Sequence, residues 1–91
     1  MAKLTLYTDK SVRSQIAKTQ LANLGIDFDE VSILENGEAV TFLESKGRDV
    51  QHYPVPQYYV GESIAWLNGY KDVAKLTAEQ INAKVTELNA G

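Results

Sequence analysis

The sequence predicts an α/β fold in which helices pack on a four-stranded mixed sheet. Short segments with alternating apolar residues take turns with segments whose apolar residues recur at helical spacing. Their order is β-α-β-α-β-β-α, followed by one more helix. A β-α-β unit joins parallel strands through a right-handed crossover, and a closing hairpin adds antiparallel strands. The 91 residues, 44% hydrophobic and 23% charged, suit one globular domain.

The first half of the chain contains two predicted strands and two predicted helices. Leu4 and Leu6 alternate with polar neighbours in the first strand. The apolar stripe of the first helix stops near Gly25, and the second helix stops at Gly47. The predicted ranges are a strand over 3–7, a helix over 12–24, a strand over 26–33, and a helix that is entered over 35–38 and ends at 46–47.

The second half begins with a proline-punctuated connection and ends in a helix. Residues 61–63 form a tight turn between two strands. Thr77 and Gln80 match a capping box, which predicts the start of the last helix. The predicted ranges are strands over 57–60 and 64–67, a short helix over 70–76 and a last helix over 77–89 with the apolar stripe Ile81, Val85 and Leu88. We expect one domain over 1–91, with its core over 3–76.

Composition excludes several classes of function. The net charge of −3 and the scattered basic residues argue against nucleic-acid binding. No apolar run could span a bilayer, and Lys3, Thr5 and Asp9 interrupt any signal-peptide pattern. His52 is the only histidine, so we expect it to be a polar loop residue and expect no metal site. With no cysteine to indicate an oxidising compartment, we expect a cytoplasmic monomer.

A pair of serines marks the junction between the first strand and the first helix. Ser11 and Ser14 are three residues apart, so cysteine at both positions would create a C-x-x-C motif. A helix N-terminus stabilises a thiolate there. A serine hydroxyl neither ionises at neutral pH nor forms a disulfide, so the chain as written cannot exchange disulfides. Serines are also common at such positions simply as helix caps.

Four sequence features, in order and at consistent spacing, resemble the glutaredoxin family, including the redoxins that serve ribonucleotide reductase. An aromatic residue and a threonine precede the turn, and ten residues separate the second serine from a Gly-Ile-x-Phe segment. A Pro-Val-Pro-Gln segment and a Gly-Tyr pair with a nearby aspartate follow. The matching segments are Tyr7-Thr8, Gly25-Ile26-Asp27-Phe28, Pro54-Val55-Pro56-Gln57 and Asn68-Gly69-Tyr70, within about residues 3–76.

The resemblance implies a thioredoxin-like fold and an electron donor to protein disulfides, ribonucleotide reductase among them. Ser11 and Ser14 then occupy the positions of the family cysteines. A cis bond is expected between Val55 and Pro56, beside the redox turn, with the Val55 backbone pairing with a peptide or glutathione. The substrate-binding residues implied are Tyr7, Lys10, Arg13, Val55, Pro56, Gly69, Tyr70 and Asp72. Trp66 is expected to pack in the core.

The chain departs from the family at the turn and near the third helix. The turn between Thr8 and Ser11 is one residue shorter than usual. Lys71 stands where glutathione-using members carry Asp or Ser, so glutathione is implied only as a weakened ligand, and no cofactor is expected to be bound. Val12-Arg13 and Lys71 favour the ribonucleotide-reductase redoxins, whose partner is a protein disulfide.

The two serines are open to three explanations. They could replace the cysteines of a working reductase by deliberate substitution, because oxygen for sulfur is a nearly isosteric change. They could instead belong to a natural cysteine-free relative that keeps the groove as a binding module. In the third explanation the chain is a partner-docking domain whose last helix makes the contact. The codons at positions 11 and 14 would separate the first two explanations.

Overall fold

The chain forms a mixed α/β fold, described here for residues 3–67 and 69–90 in a computed structural model. The elements follow the predicted order. They are β1 (Leu4–Thr8), α1 (Val12–Asn23), β2 (Phe28–Ser32), α2 (Gly37–Ser45), β3 (Gln57–Val60), β4 (Ser63–Trp66), α3 (Tyr70–Val73) and α4 (Ala78–Ala90).

The four strands form one mixed sheet in the order β2-β1-β3-β4. β1 pairs in parallel with β2 and antiparallel with β3, and β3 pairs antiparallel with β4. The β3–β4 register shifts between Tyr58 and Tyr59. The predicted four-stranded mixed sheet is therefore confirmed, with β1 inside it.

Both faces of the sheet are covered by apolar clusters. Alternation along β1 sends Leu4 and Leu6 to one face and Tyr7 to the other. The larger cluster joins the sheet to α1, α3 and α4 through the buried residues Leu4, Leu6, Ala17, Leu21, Ile26, Tyr58, Val60, Ala65, Val73 and Ile81. The smaller cluster, around Leu43, Val55 and Tyr59, covers the α2 side. Ile81 is fully buried, so α4 completes the core.

Two elements are shorter than predicted for local reasons. The backbone N–H of Ile26 donates to the carbonyl of Leu21 at 3.0 Å, so Ile26 closes the end of α1 and β2 begins only at Phe28. α3 ends at Val73, because Leu76 bonds back to the Val73 carbonyl in a turn. Asn68, which follows the predicted range of β4 and belongs to the matching segment Asn68-Gly69-Tyr70, lies outside the described residues.

Side-chain caps define the helix starts that the sequence predicts. The Thr77 N–H donates to Gln80 Oε1 at 2.9 Å, and the Gln80 N–H donates to Thr77 Oγ1 at 3.2 Å. The predicted capping box is therefore confirmed. Asn36 caps α2 by accepting the N–H of Glu38 at 3.1 Å. Within residues 3–67 and 69–90, no helix combines the length and apolar character needed to cross a bilayer.

Truncating the centre of β1 tests the packing. Leu6 is fully buried, whereas Leu34 is 58% exposed. We expect Leu6→Ala to lower the free energy of unfolding by about 2–5 kcal/mol, because it removes buried methyl groups and leaves a cavity. Leu34→Ala is the matched control and should change the free energy of unfolding by less than about 0.5 kcal/mol. Urea denaturation measures both, and equal effects would contradict the described core.

Candidate functional site

The two serines face each other at the start of α1. Ser11 is the N-cap residue, and its Oγ accepts the backbone N–H of Ser14 at 3.3 Å. The Ser11 hydroxyl also donates to Ser14 Oγ, again at 3.3 Å. Ser14 is fully buried, whereas Ser11 is half-buried. One position is therefore accessible from outside and the other lies beneath it.

Asp9 completes a polar network around these serines. Its Oδ1 accepts the Ser11 N–H at 2.8 Å and the Ser14 hydroxyl at 2.9 Å, and its own N–H donates to Ser14 Oγ at 3.0 Å. The Ser14 hydroxyl thus donates one hydrogen bond and accepts two, which is the full capacity of a hydroxyl group. The sequence carried a signal for this contact that was missed, because Asp two residues before Ser is typical of an Asx-turn.

The same network lowers the pKa of Asp9. Burial by itself would raise the pKa of this carboxyl group. Hydrogen bonds from Ser11 and Ser14, together with the positive charge of Arg13, outweigh burial and leave the pKa below its usual value. Asp9 is therefore a carboxylate at neutral pH and contacts both Ser11 and Ser14.

A cavity of about 550 Å³ lies beside this turn, at the β4 edge of the sheet. Its walls come from the start of α1, the connection between α2 and β3, β4, and α3. Five of the predicted site residues line it, namely Arg13, Pro56, Gly69, Tyr70 and Asp72. Residues separated by more than fifty positions in sequence thus meet in one space.

The other three predicted binding residues lie elsewhere. The Tyr7 ring stacks on Phe42 at 5.7 Å and meets Tyr59 edge-on at 5.3 Å, so it packs on the α2 side. The Val55 side chain is 1% exposed within the same cluster. Lys10 is exposed on the turn and does not line the cavity. Their predicted roles in binding remain predictions.

Pro56 and Gly69, which both line the cavity, are in close contact. The Val55–Pro56 peptide bond is cis, as the family resemblance implied. Gly69 has φ of +65°, and a Cβ there would lie 3.2 Å from the Pro56 carbonyl oxygen, so glycine suits this position. Tyr7 pairs with Gln57, so the carboxyl end of β1 lies beside Pro56. The serine turn and Pro56 therefore share one end of the sheet.

Further residues that line the cavity were not predicted as site residues. Among them are Arg48, Tyr53, Trp66 and Lys75. Trp66 meets the Tyr58 ring edge-on at 5.7 Å and packs on the larger cluster as expected, but it also lines the cavity. His52 lines the cavity too, and its Nδ1 lies 2.8 Å from Asp49 Oδ2 in the loop. No local sequence pattern marks Arg48, His52 and Tyr53, because they line the cavity only once the connection between α2 and β3 is folded against β3.

Comparisons with known proteins identify no family for the chain. No protein-family model matches the sequence, and no curated protein matches it. Within the described part of the chain, no group of three or more His, Asp or Glu side chains could hold a metal ion.

The lowered pKa of Asp9 predicts a pH-dependent contribution to stability. A carboxylate whose pKa is lowered by folding stabilises the folded state at pH values above its pKa in the unfolded chain. This stabilisation is lost as the pH falls through its pKa in the folded chain. Asp9→Asn should therefore be less stable than the unsubstituted chain at pH 7, with the difference shrinking below about pH 4. Chemical denaturation from pH 7 to pH 3 measures this difference.

The control for this experiment is Asp27→Asn, since the Asp27 side chain is 81% exposed and lies far from the turn in sequence. At pH 7 its stability should differ less from that of the unsubstituted chain than the stability of Asp9→Asn does. A constant difference between Asp9→Asn and the unsubstituted chain across the whole range would show that the Asp9 charge contributes nothing.

Proposed function

We propose that the chain has the scaffold of a glutaredoxin-like thiol–disulfide oxidoreductase, with a thioredoxin-like topology and serine at both redox positions. One observation carries the proposal: Ser11 and Ser14 point at one another across the first turn of α1, with their oxygens 3.3 Å apart. A disulfide requires two side chains that face each other closely enough for their sulfur atoms to bond, at about 2.05 Å. As written, the chain cannot exchange disulfides, because it contains no cysteine.

The surroundings support this proposal. The sheet order β2-β1-β3-β4, the cis Val55–Pro56 bond and the contact between Pro56 and Gly69 accompany the turn. Arg13, between the two serines in sequence, lines the cavity. A substrate disulfide held by a segment in the cavity would lie next to the turn. The substrate class proposed is a protein disulfide, such as that of ribonucleotide reductase.

The two positions suit different roles in a dithiol form. A thiol at position 11 would be partly accessible. Its sulfur would accept the backbone N–H of residue 14 and would lie at the positive end of the helix dipole, and both favour a thiolate. It would attack one sulfur of the substrate disulfide, forming a mixed disulfide and releasing the other sulfur as a thiolate. A thiolate formed at the buried position 14 would then attack the sulfur at position 11, close the internal disulfide and release the second substrate thiolate.

A second candidate function is a cysteine-free binding module with the same groove. The observation that favours it is the full hydrogen bonding of the Ser14 hydroxyl to Asp9 and Ser11. A thiol is a weaker donor and a weaker acceptor, and a nearby carboxylate opposes its ionisation. The network therefore suits oxygen at position 14 better than sulfur. Docking through α4 has less support, because the α4 stripe packs on the core.

Replacing both serines tests the first proposal. Ser11→Cys combined with Ser14→Cys should reduce an uncharged peptide disulfide, whereas the unsubstituted chain should not. The thiol introduced by Ser11→Cys alone should have a pKa below the ordinary value of about 8.5. The pH dependence of alkylation by iodoacetamide measures this value.

The matched control for alkylation is Ser63→Cys, because Ser63 is exposed at the start of β4. Its thiol should react as an ordinary cysteine. If the double variant shows no exchange, and the thiol at position 11 titrates like the one at position 63, the turn is no redox site and the binding-module proposal takes its place.

The exposed side chain of Lys71 allows a separate test of glutathione as a ligand. Lys71→Asp should bind glutathione more tightly than the unsubstituted chain, because a carboxylate attracts the ligand ammonium group that lysine repels. The gain should shrink as salt screens the charges. Calorimetric titration with glutathione at low and high salt measures both effects.

Lys84→Asp, outside this cavity, is the control. Tight binding by the unsubstituted chain that Lys71→Asp leaves unchanged would show that Lys71 does not contact glutathione.

A further inference from the structure

The cavity concentrates positive charge in a chain that is negative overall. Its walls carry Arg13, Arg48, Lys71 and Lys75 but only one carboxylate, that of Asp72. The net charge of the whole chain is −3. The salt bridges of the described residues use Lys3, Lys18 and His52 as their basic partners. Among the described residues, none of the four cations in the cavity forms a salt bridge, although the charge of Arg13 also acts on Asp9.

Arg48, which lines this cavity, is held in place by its neighbours. Its guanidinium group lies over the Tyr53 ring, 4.7 Å from the ring centre. Gln57 ties the loop together by donating to the Arg48 carbonyl at 2.9 Å and to the Tyr53 carbonyl at 2.8 Å. Gln57 is fixed in turn by the Tyr59 hydroxyl, which donates to Gln57 Oε1 at 3.0 Å. The Arg48 side chain is thus positioned before any ligand arrives.

The Arg48 guanidinium group has donors to spare. Nη1 donates only to the adjacent Gly47 carbonyl, at 3.3 Å, and Nη2 donates to no other described residue, whereas Nε is buried and out of reach of a ligand. A guanidinium group that is stacked on an aromatic ring, with unused N–H groups, is well suited to bind a carboxylate through two parallel hydrogen bonds.

Apolar side chains border the charged wall. Trp66 is half-buried in the cavity, and the neighbouring Leu67 is 68% exposed. Val12, next to Arg13 in sequence, is 75% exposed. Aromatic residues and arginine together with exposed apolar groups are typical of the centres of protein interfaces. This mixture suits a peptide with both acidic and apolar side chains better than a simple anion.

We infer that the cavity binds an extended acidic peptide segment of a partner protein, with a carboxylate of that segment paired to Arg48. An adjacent apolar side chain of the segment covers Trp66 and Leu67. The inference rests on the proposed function in taking the cavity as the groove that receives the partner, and it adds the chemical class of that partner. The local excess of positive charge gives the complementarity, although the chain as a whole is acidic.

Peptide binding to the chain as written provides the test. The probe is a fluorescent hexapeptide of alternating glutamate and phenylalanine with blocked ends, and the reference probe has glutamine in place of each glutamate. Fluorescence polarisation should show at least about tenfold tighter binding of the glutamate peptide, as one charge-assisted hydrogen bond would give. Arg48→Gln should remove about tenfold of this affinity and leave the glutamine peptide unchanged.

Two further variants separate charge from folding. Lys84→Gln removes a positive charge outside this cavity and should not weaken binding. Arg48→Lys keeps the charge but loses the paired donors, so its loss of affinity should be intermediate. Thermal unfolding of each variant shows whether the fold is intact.

Several results would overturn the inference. These are equal affinity for the glutamate and glutamine peptides, a loss in Arg48→Gln no larger than that in Lys84→Gln, or displacement of the peptide by a single-stranded oligonucleotide at equal concentration. Its failure is distinguishable from failure of the proposed function. Exchange with an uncharged disulfide by the double-cysteine variant, without acidic-peptide binding, overturns this inference alone. Peptide binding without exchange overturns the redox proposal alone.

Discussion

The pairing of β1 on both of its edges is the constraint on which the rest of the structure depends. β1 is parallel to β2 on one side and antiparallel to β3 on the other, and its buried leucines and Tyr7 contact opposite clusters. This pairing sets the register that brings the carboxyl end of β1 beside Pro56. Because α1 begins directly after that end, the serine turn and the cavity become neighbours.

The chemistry of the turn follows from a local competition for hydrogen bonds. A helix start leaves backbone N–H groups without partners, and Ser11 and Asp9 accept two of them here. Ser14 is buried, so its hydroxyl must also be satisfied, and Asp9 provides both an acceptor and a donor. The same network that stabilises oxygen at position 14 would hinder ionisation of sulfur there, because the Asp9 carboxylate accepts the hydroxyl proton of Ser14 directly. This difference between oxygen and sulfur at position 14 connects the two proposed functions.

The cavity owes its character to the connection between α2 and β3. Gln57 holds this connection against β3 through two carbonyl groups, and Arg48 consequently stacks on Tyr53. The lysines that line the cavity come from α3 and the residues that follow it. Positive charges from distant parts of the chain therefore face one space, although the chain carries a net negative charge. Electrostatic preference here is a property of tertiary structure.

The sequence by itself determined the features that depend on neighbouring residues. The element order, β3 at Gln57–Val60, the capping box of Thr77 and Gln80, and Ser11 at the start of α1 all follow from periodicity and capping chemistry, which act over a few residues. Tertiary structure decided the rest. Only folding placed Tyr7 and Val55 in a packed cluster and brought Arg48 into the cavity, because these positions depend on strand register and on contacts between distant segments that no local pattern encodes.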